Sequence, residues 1–204
     1  MQIVIANKSH SHYAEIICDT IADAAKVRGT GIAKRKPEYI ITKMENGNAV
    51  IALDGDTFAG FCYIEAWSHG KFVANSGLIV HPDFRNRGLA KQIKKVVFEH
   101  SRTKYPDAKI FSITTGLAVM KMNSELGYKP VTFSELTTDQ TFWDGCQTCK
   151  NYDVLQRTNQ SMCLCTGMLF DPNTKNDTSK KVKEKAFKRL KSIKQSLFLK
   201  KDNK

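Results

Sequence analysis

The chain has 204 residues, of which 41% are hydrophobic and 25% charged, a composition typical of one sizeable globular domain or of one domain with an appendage. No apolar run is long enough to cross a membrane, and the first residues lack the basic lead and apolar core of a signal peptide, so we expect a cytoplasmic protein. The net charge is +12, but residues 173–204 hold twelve Lys/Arg against three Asp/Glu and so carry +9 of it. Because the basic character belongs to this tail, it argues against a nucleic-acid-binding protein.

The first eighty residues read as a strand, two helices and three antiparallel strands. Apolar residues recur at helical spacing in the two helices, and the Asp-Gly-Asp at 54–56 is typical of a hairpin turn. Between the helices, residues 28–35 form a loop rich in glycine and positive charge. The predicted elements are a strand at 2–6, helices at 10–27 and 37–44, and strands at 48–53, 57–67 and 71–80.

The second half begins with an amphipathic helix at 88–104. Its apolar face holds Leu89, Ile93, Val96 and Val97, and we expect Lys91, Lys94 and Lys95 to face solvent. A strand at 109–114, a helix at 117–126 and strands at 128–133 and 165–170 follow. We therefore predict a domain at 1–172 with a cysteine-rich insertion at 142–165, followed at 173–204 by a lysine-rich amphipathic helical tail.

The junction between the strand ending at residue 80 and the helix starting at residue 88 has the chemistry of a diphosphate site. The first amides of a helix lack partners and carry partial positive charge, which favours an anion such as a pyrophosphate. Gly88 and the small Ala90 let phosphate oxygens approach the backbone, and Arg85 and Arg87 add charge-assisted donors. Two cations at a helix start are unfavourable for the dipole, so an anionic ligand explains them better than a solvated helix end does.

The spacing Arg85-x-x-Gly88-x-Ala90, after a strand and Val80-His81-Pro82, resembles the acyl-CoA signature of the GNAT superfamily of N-acyltransferases. The order of elements over residues 1–136 is similar to the GNAT fold, an α/β (α+β) architecture with a mixed, mostly antiparallel sheet flanked by helices. The resemblance implies acetyl-CoA or another acyl-CoA as substrate. It also implies that the pyrophosphate binds Arg87, Gly88, Leu89 and Ala90, that the pantetheine lies along Leu78, Ile79 and Val80, and that the Ile79 or Val80 amide serves as oxyanion donor.

Direct transfer to an amine needs a base for the amine and a proton for the departing thiolate. Many family members use a tyrosine as the acid, but the resemblance places Asn123 there, which can only donate a hydrogen bond to the sulfur or to CoA. For the base we consider Glu65, which alternates with Tyr63 and Trp67 on its strand, and His81, which titrates near neutrality. Glu65 pointing to solvent and His81 as an idle loop residue are the alternatives.

The acceptor is expected to be a small molecule with a primary amine. The resemblance implies that the loop between the first two helices lines the acceptor pocket, where Arg28, Lys34 and Arg35 would favour an anionic amino acid. The chain is also similar to the N-acylglutamate synthase type of amino-acid acyltransferases, which suggests a role in amino-acid metabolism. A bulkier acidic acyl group such as succinyl would suit the same loop, and a solvated basic loop is the alternative.

Four cysteines follow the pattern Cys146-x-x-Cys149 and Cys163-x-Cys165. Two close pairs of thiols in one chain segment are typical of a structural zinc site. The alternatives are free thiols packed against the sheet, or a redox pair at Cys146 and Cys149. The sequence leads us to expect four zinc ligands.

Two other functions remain open from the sequence. One is a GNAT-fold module that binds acyl-CoA and regulates or interacts, which the missing tyrosine at residue 123 favours. The other is a protein or peptide N-acetyltransferase, although the basic loop argues against a lysine-rich substrate. We expect the tail to pack on its own domain or to be partly disordered. The alternatives are that it binds a second subunit of a homodimer, a partner, RNA or an acidic membrane surface.

Overall fold

A computed structural model describes residues 1–28 and 34–174. All of these except 173 and 174 lie in one compact unit that spans Met1–Pro172. The strands are β1 Gln2–Ile5, β2 Ala49–Asp54, β3 Thr57–Trp67, β4 Phe72–Val80, β5 Lys109–Thr114, β6 Lys129–Val131 and β7 Thr166–Phe170. The helices are α1 Ala14–Arg28, α2 Pro37–Glu45, α3 Leu89–Lys104, α4 Leu117–Glu125, α5 Gln140–Asp144 and α6 Tyr152–Arg157. Short 3-10 turns lie at Lys8–Tyr13, Pro82–Phe84 and Phe133–Glu135. Within the described ranges, no helix is both long and apolar enough to cross a membrane.

The seven strands form one mixed sheet in the order β1-β2-β3-β4-β5-β7-β6. Only β4 and β5 run parallel, and their pairing is short: it joins Phe72 to Lys109, Val73 to Ile110 and Ala74 to Phe111. Beyond these pairs both strands continue, β4 to Val80 and β5 to Thr114, without further pairing to each other. The sheet therefore opens between β4 and β5.

A bulge in β4 lies where this opening begins. Opposite β3, Tyr63 pairs with Ser76 and Phe61 pairs with Ile79, so β4 carries one residue more than β3 over this stretch. Gly77 takes a left-handed conformation there, with φ of 66°, and an added Cβ would lie 2.4 Å from a ring carbon of Tyr63. Glycine is required because the backbone turns at this point against the face of an aromatic ring.

Each face of the sheet is covered by its own helices, because side chains alternate along a strand. On one face, α3 packs Leu89, Ile93 and Val97 against the sheet. On the other, α1 and α2 pack their apolar residues over β2 and β3. A third cluster, around Phe111, Phe133, Trp143 and Leu155, joins this second face to the segment between β6 and β7.

The predicted fold class is confirmed, and the element order matches down to the signature helix. The structure differs from the sequence prediction at two places. Residues 8–13 form a 3-10 turn before α1 because Asn7 caps them with its side chain. The cysteine-rich segment, for which no secondary structure was predicted, contains two short helices, α5 and α6. The predicted amphipathic helix of the tail lies outside the described residues.

Candidate active site

A cavity of about 860 Å³ passes through the opening between β4 and β5. Its floor includes Tyr63, Glu65 and Phe111, whose side chains belong to the face covered by α1, α2 and the β6–β7 segment. It also includes Asn75, Ser112 and Lys94 of α3, which lie on the opposite face. One cavity thus connects the two sides of the sheet at the only place where its strands separate among the described residues.

The start of α3 has the features predicted for an anion site. Gly88 is the N-terminal capping residue in the left-handed region, with φ of 75°, and within the described chain no side chain caps the first turn. Space around Gly88 is open, with no atom within 4 Å of where a Cβ would be. The Nε of Arg85 donates to the Val80 carbonyl at 3.1 Å, and Arg87 lies over the ring of Phe84. Arg85 therefore braces the loop, while the first amides of α3 remain open to a ligand.

A buried polar cluster lies on the α3 side of the opening. The Oδ1 of Asn75 accepts hydrogen bonds from the Tyr128 hydroxyl at 2.9 Å and from the Lys94 ammonium at 3.3 Å. The amide nitrogen of Asn75 donates to Ser101 at 2.8 Å. The lysine is only 2% exposed and burial lowers its pKa to about 8, so it is close to losing its proton at neutral pH.

Asn123 is fully buried beside this cluster. Its amide nitrogen donates to the Ser112 hydroxyl at 2.7 Å, and its Oδ1 has no hydrogen-bond partner in the described part of the chain. Ser112 lines the cavity, whereas Asn123 does not. Asn123 is thus connected to the cavity only through a serine hydroxyl.

Glu65 lies on the opposite side of the opening and accepts two strong hydrogen bonds. Its Oε1 accepts from the Tyr39 hydroxyl at 2.5 Å and from the Lys43 ammonium at 2.6 Å, and its side chain is 13% exposed. Burial, with the neighbouring Tyr63 and the Glu65 charge, raises the pKa of Tyr39 far above its usual value, so Tyr39 is a neutral donor. Both donors contact Oε1; within residues 1–28 and 34–174, Oε2 has no hydrogen-bond partner.

The segment before α2 brings positive charge to the same side. The Nε of Arg35 donates to the Tyr63 hydroxyl at 2.9 Å, and its guanidinium lies 5.3 Å from the centre of the Tyr39 ring. Lys34 and Lys36 also line the cavity, and the Lys34 amide donates to Thr148 at 3.2 Å. Three cations therefore face a cavity that also holds the carboxylates of Glu38 and Glu65.

Another wall of the cavity comes from the segment between β6 and β7 and is largely apolar. Phe142 packs edge-on against Trp67 and Phe111, with ring centres 5.6 and 5.0 Å apart. All four clustered cysteines contribute to this wall: Cys146, Cys149, Cys163 and Cys165. Nothing in the sequence pattern indicated that this segment lines the cavity.

The structure does not support the predicted zinc site. Among the described residues, no three His, Cys, Asp or Glu side chains are arranged to hold a metal ion. Burial, followed by the neighbouring thiols, raises the pKa of Cys146 to about 11 and that of Cys165 to about 12. The structure agrees with the alternative of free thiols packed beside the sheet.

The comparisons with known proteins agree with this geometry. The model of the acetyltransferase (GNAT) family matches residues 21–121, which include the start of α3 and both strands of the opening. This chain carries a GNAT acetyltransferase domain. The predicted resemblance is therefore confirmed.

Solved structures with the same fold share little sequence with this GNAT domain. N-acetylglutamate synthase from Neisseria gonorrhoeae, complexed with coenzyme A and N-acetyl-glutamate, matches with a TM-score of 0.62 and 15% identity over 84% of this chain and 35% of that one. A Mycobacterium tuberculosis protein complexed with CoA matches with a TM-score of 0.59 and 12% identity, over 84% of this chain and 99% of that one.

The ribosomal-protein-S18-alanine N-acetyltransferase from Escherichia coli matches with a TM-score of 0.53 and 9% identity, over 87% of this chain and 97% of that one. The chain spans about a third of the Neisseria structure's length. No curated protein sequence matches it. At these identities the likeness concerns the fold.

The GNAT domain brings some of the predicted site residues together and separates others. Leu78, Glu65, Lys34 and Arg35 line the cavity, while Ile79 and Val80 bury their side chains in the cores. His81 packs between Phe58 and Phe84, and its Nδ1 lies 3.6 Å from Asp83, away from the cavity. Arg28 ends α1, and its side chain and the residues that follow it up to 33 lie outside the described residues.

Lys94 is the functional candidate that the sequence analysis of this GNAT domain missed, since it was expected to face solvent. The sequence did contain an indication that Lys94 is buried, because positions 90, 94, 97 and 101 lie on one face of the helix. The other three residues at these positions are small or apolar, as on a packed face. Tyr39 and Lys43 were missed because nothing in α2 alone shows that they reach Glu65 on β3.

Proposed function

We propose that this GNAT domain transfers an acyl group, acetyl in the first instance, from acyl-CoA to the primary amine of a small anionic molecule such as an acidic amino acid. The observation that carries the proposal is the cavity through the β4–β5 opening, with Lys34, Arg35 and Lys36 on its wall. Lys94 of α3 also lines this cavity, and the uncapped start of the same helix lies six residues earlier in the chain. Two substrates that enter from opposite faces can meet there without a covalent enzyme intermediate.

On the donor side, the pyrophosphate binds the amides of Arg87, Gly88, Leu89 and Ala90 with help from Arg85 and Arg87. The pantetheine arm then runs along the free edge of β4 beyond Ala74. His81 donates its amide to Ala59 at 2.9 Å, and alternation along an antiparallel pair directs the Val80 amide to the opposite edge. This supports Val80, rather than Ile79, as the donor to the developing oxyanion.

On the acceptor side, Glu65 serves as the general base. Tyr39 and Lys43 hold its Oε1, which orients the carboxylate and leaves Oε2 to take a proton from the amine directly or through one water. His81 is a weaker candidate because its ring is packed against Phe58 and Phe84. The acceptor's carboxylates bind Lys34 and Arg35, with Arg28 as a further candidate.

The test is a coenzyme A release assay with acetyl-CoA and succinyl-CoA against a panel of acidic, neutral and basic amino acids and polyamines. We expect turnover with acidic amino acids and little with polyamines, since the wall carries Lys34, Arg35 and Lys36. Comparing the two donors identifies the acyl group.

Arg35→Gln should raise KM for the acidic acceptor about tenfold or more, because a charge-assisted hydrogen bond contributes about 1.5–3 kcal/mol. The matched control is Lys26→Gln, an exposed lysine of α1 that pairs only with Asp23 among the described side chains and lies outside the cavity. Turnover with polyamines or peptides but not with acidic amino acids would contradict the proposed acceptor. Saturable acyl-CoA binding without any turnover would instead favour a binding module.

A further inference from the structure

Lys94 combines burial, a free charge and a place at the opening between β4 and β5. It is 2% exposed, and its one hydrogen bond to a described residue is the 3.3 Å bond to Asn75 Oδ1. The ring of Tyr128 lies 5.1 Å from its nitrogen. In the described part of the chain no carboxylate pairs with it, although burying an ammonium without a counterion is costly.

The groups around Lys94 can hold it but cannot neutralise it. Among the described residues, the titratable neighbours of Lys94 are the thiol of Cys62, in β3, and the hydroxyl of Tyr128, the residue just before β6. Burial raises the pKa of Cys62 to about 11 and that of Tyr128 well above its usual value, so both are neutral at pH 7. β4 and β5 contribute the uncharged Asn75 and Ser112. The ammonium therefore faces the cavity as an unmatched positive charge.

The reaction proposed above creates a negative charge on the departing sulfur, which calls for a proton donor near it. Asn123, which occupies the position of the usual acid, has no proton to give and already donates to Ser112. The sulfur becomes a thiolate when the carbon–sulfur bond breaks. The thioester must lie between β4 and β5 for the acceptor amine to reach its carbonyl carbon. Lys94 is the only ammonium on the α3 side of the described cavity lining.

We propose that Lys94 is the general acid of this acyltransferase and protonates the coenzyme A thiolate as it leaves. The amine lone pair forms the new C–N bond, and the C–S electron pair goes to sulfur as the tetrahedral intermediate collapses. The Nζ of Lys94 gives its proton to sulfur and becomes a neutral amine, while Glu65 takes the proton that the acceptor nitrogen loses. Exchange with solvent then returns one proton to Lys94 and removes one from Glu65, so the balance closes.

This inference rests on the proposed function, and the surroundings of Lys94 suit it. Asn75 holds the ammonium through a single acceptor, which leaves N–H groups for the sulfur. The pKa of about 8 is near the operating pH, as an efficient general acid requires. Asn75 is itself held by Tyr128 and Ser101, so the donor is positioned by a rigid, fully buried network.

The test compares Lys94→Met with Lys95→Met in the coenzyme A release assay over pH 6–10. Lys95 is the next residue on α3 and is exposed, with only a 3.8 Å ion pair to Glu99 in the described structure. Lys94→Met should lower kcat about 10²-fold or more, as loss of a general acid does. It should change KM for acyl-CoA less than threefold. It should also remove the fall of kcat at or above about pH 8 that we expect for the wild type. Lys95→Met should behave as wild type.

A second measurement separates acid catalysis from a structural role. In Lys94→Ala, methylammonium should restore part of kcat in a saturable manner, because the small amine can occupy the vacated site; the N-acylated acceptor is measured, so that acylation of methylamine itself is not counted. The inference is overturned if Lys94→Met keeps kcat within threefold of wild type, or if the alkaline limb persists in that variant. Should Lys94→Met fail to fold, a wild-type kcat that stays level up to pH 10 overturns it equally. Absence of turnover in the wild type would instead contradict the proposed function.

Discussion

Replacing Lys94 by methionine should stabilise the unliganded protein. Methionine fills a similar volume without a charge, and the fall in the pKa of Lys94 from 10.5 to about 8 corresponds to a cost of about 3 kcal/mol at pH 7. The substitution also removes the hydrogen bond to Asn75, which contributes about 1 kcal/mol. We therefore expect a net gain of about 2 kcal/mol, or about 4–8 °C in Tm for a domain of this size.

The pH dependence gives the sharper test. Between pH 8 and 10.5 the unfolded wild type still binds the lysine proton while the folded protein has released it, so the wild type gains stability as pH rises. The cost of burying the Lys94 charge falls from about 3 kcal/mol at pH 7 to about 1 kcal/mol at pH 9.5. The stability that Lys94→Met gains over the wild type should therefore nearly vanish at pH 9.5. Urea unfolding at both pH values measures this, with the exposed Lys95→Met as control. A variant less stable than wild type at pH 7, or a difference independent of pH, would refute the reasoning.

Three further predictions follow from the site. Glu65→Gln keeps an acceptor for Tyr39 and Lys43 but cannot take a proton, so kcat should fall about 10²-fold with little change in KM. The control Glu38→Gln, also on the cavity wall, should retain activity. Equal losses in both variants would contradict the assignment of Glu65 as the base. Gly77→Ala should lower the free energy of unfolding in urea by about 2 kcal/mol or more, because the new Cβ meets the Tyr63 ring. The control Gly55→Ala, at a left-handed glycine in open space, should lower it by only about 1 kcal/mol. Similar losses in both variants would argue against the close approach of Gly77 to Tyr63. A metal chelator should leave Tm unchanged, and purified protein should contain zinc well below one ion per chain, because no three potential ligands among the described residues are arranged to hold a metal ion. Stoichiometric zinc measured by elemental analysis would contradict this.

Much of the fold was predictable because its signals are local. The hairpin at 54–56 follows from its turn residues, and α3 follows from its glycine start and apolar face. The open start of α3 was predictable for the same reason, since a strand, a turn and a helix start are consecutive in the chain. That it binds a diphosphate stays a prediction.

The acceptor side could not be predicted in the same way because it is assembled from distant segments. Glu65 of β3 meets Tyr39 and Lys43 of α2, and Lys34 meets Thr148 of the cysteine-rich segment. Lys94 was expected to be exposed because lysine seldom lies in a core; only its neighbours along the helix row indicated otherwise. The zinc prediction rested on spacing, and spacing does not determine whether four sulfurs converge at tetrahedral geometry.

The central claim is that acyl-CoA binds at the start of α3. Calorimetric titration of acetyl-CoA tests it most directly, comparing wild type with Gly88→Glu and with Gly47→Glu, a control at a second left-handed glycine in open space. We predict saturable binding of one acetyl-CoA per wild-type chain, retained in the Gly47 variant and weakened at least a hundredfold in the Gly88 variant. Equal binding in all three proteins, or none in the wild type, would contradict the account.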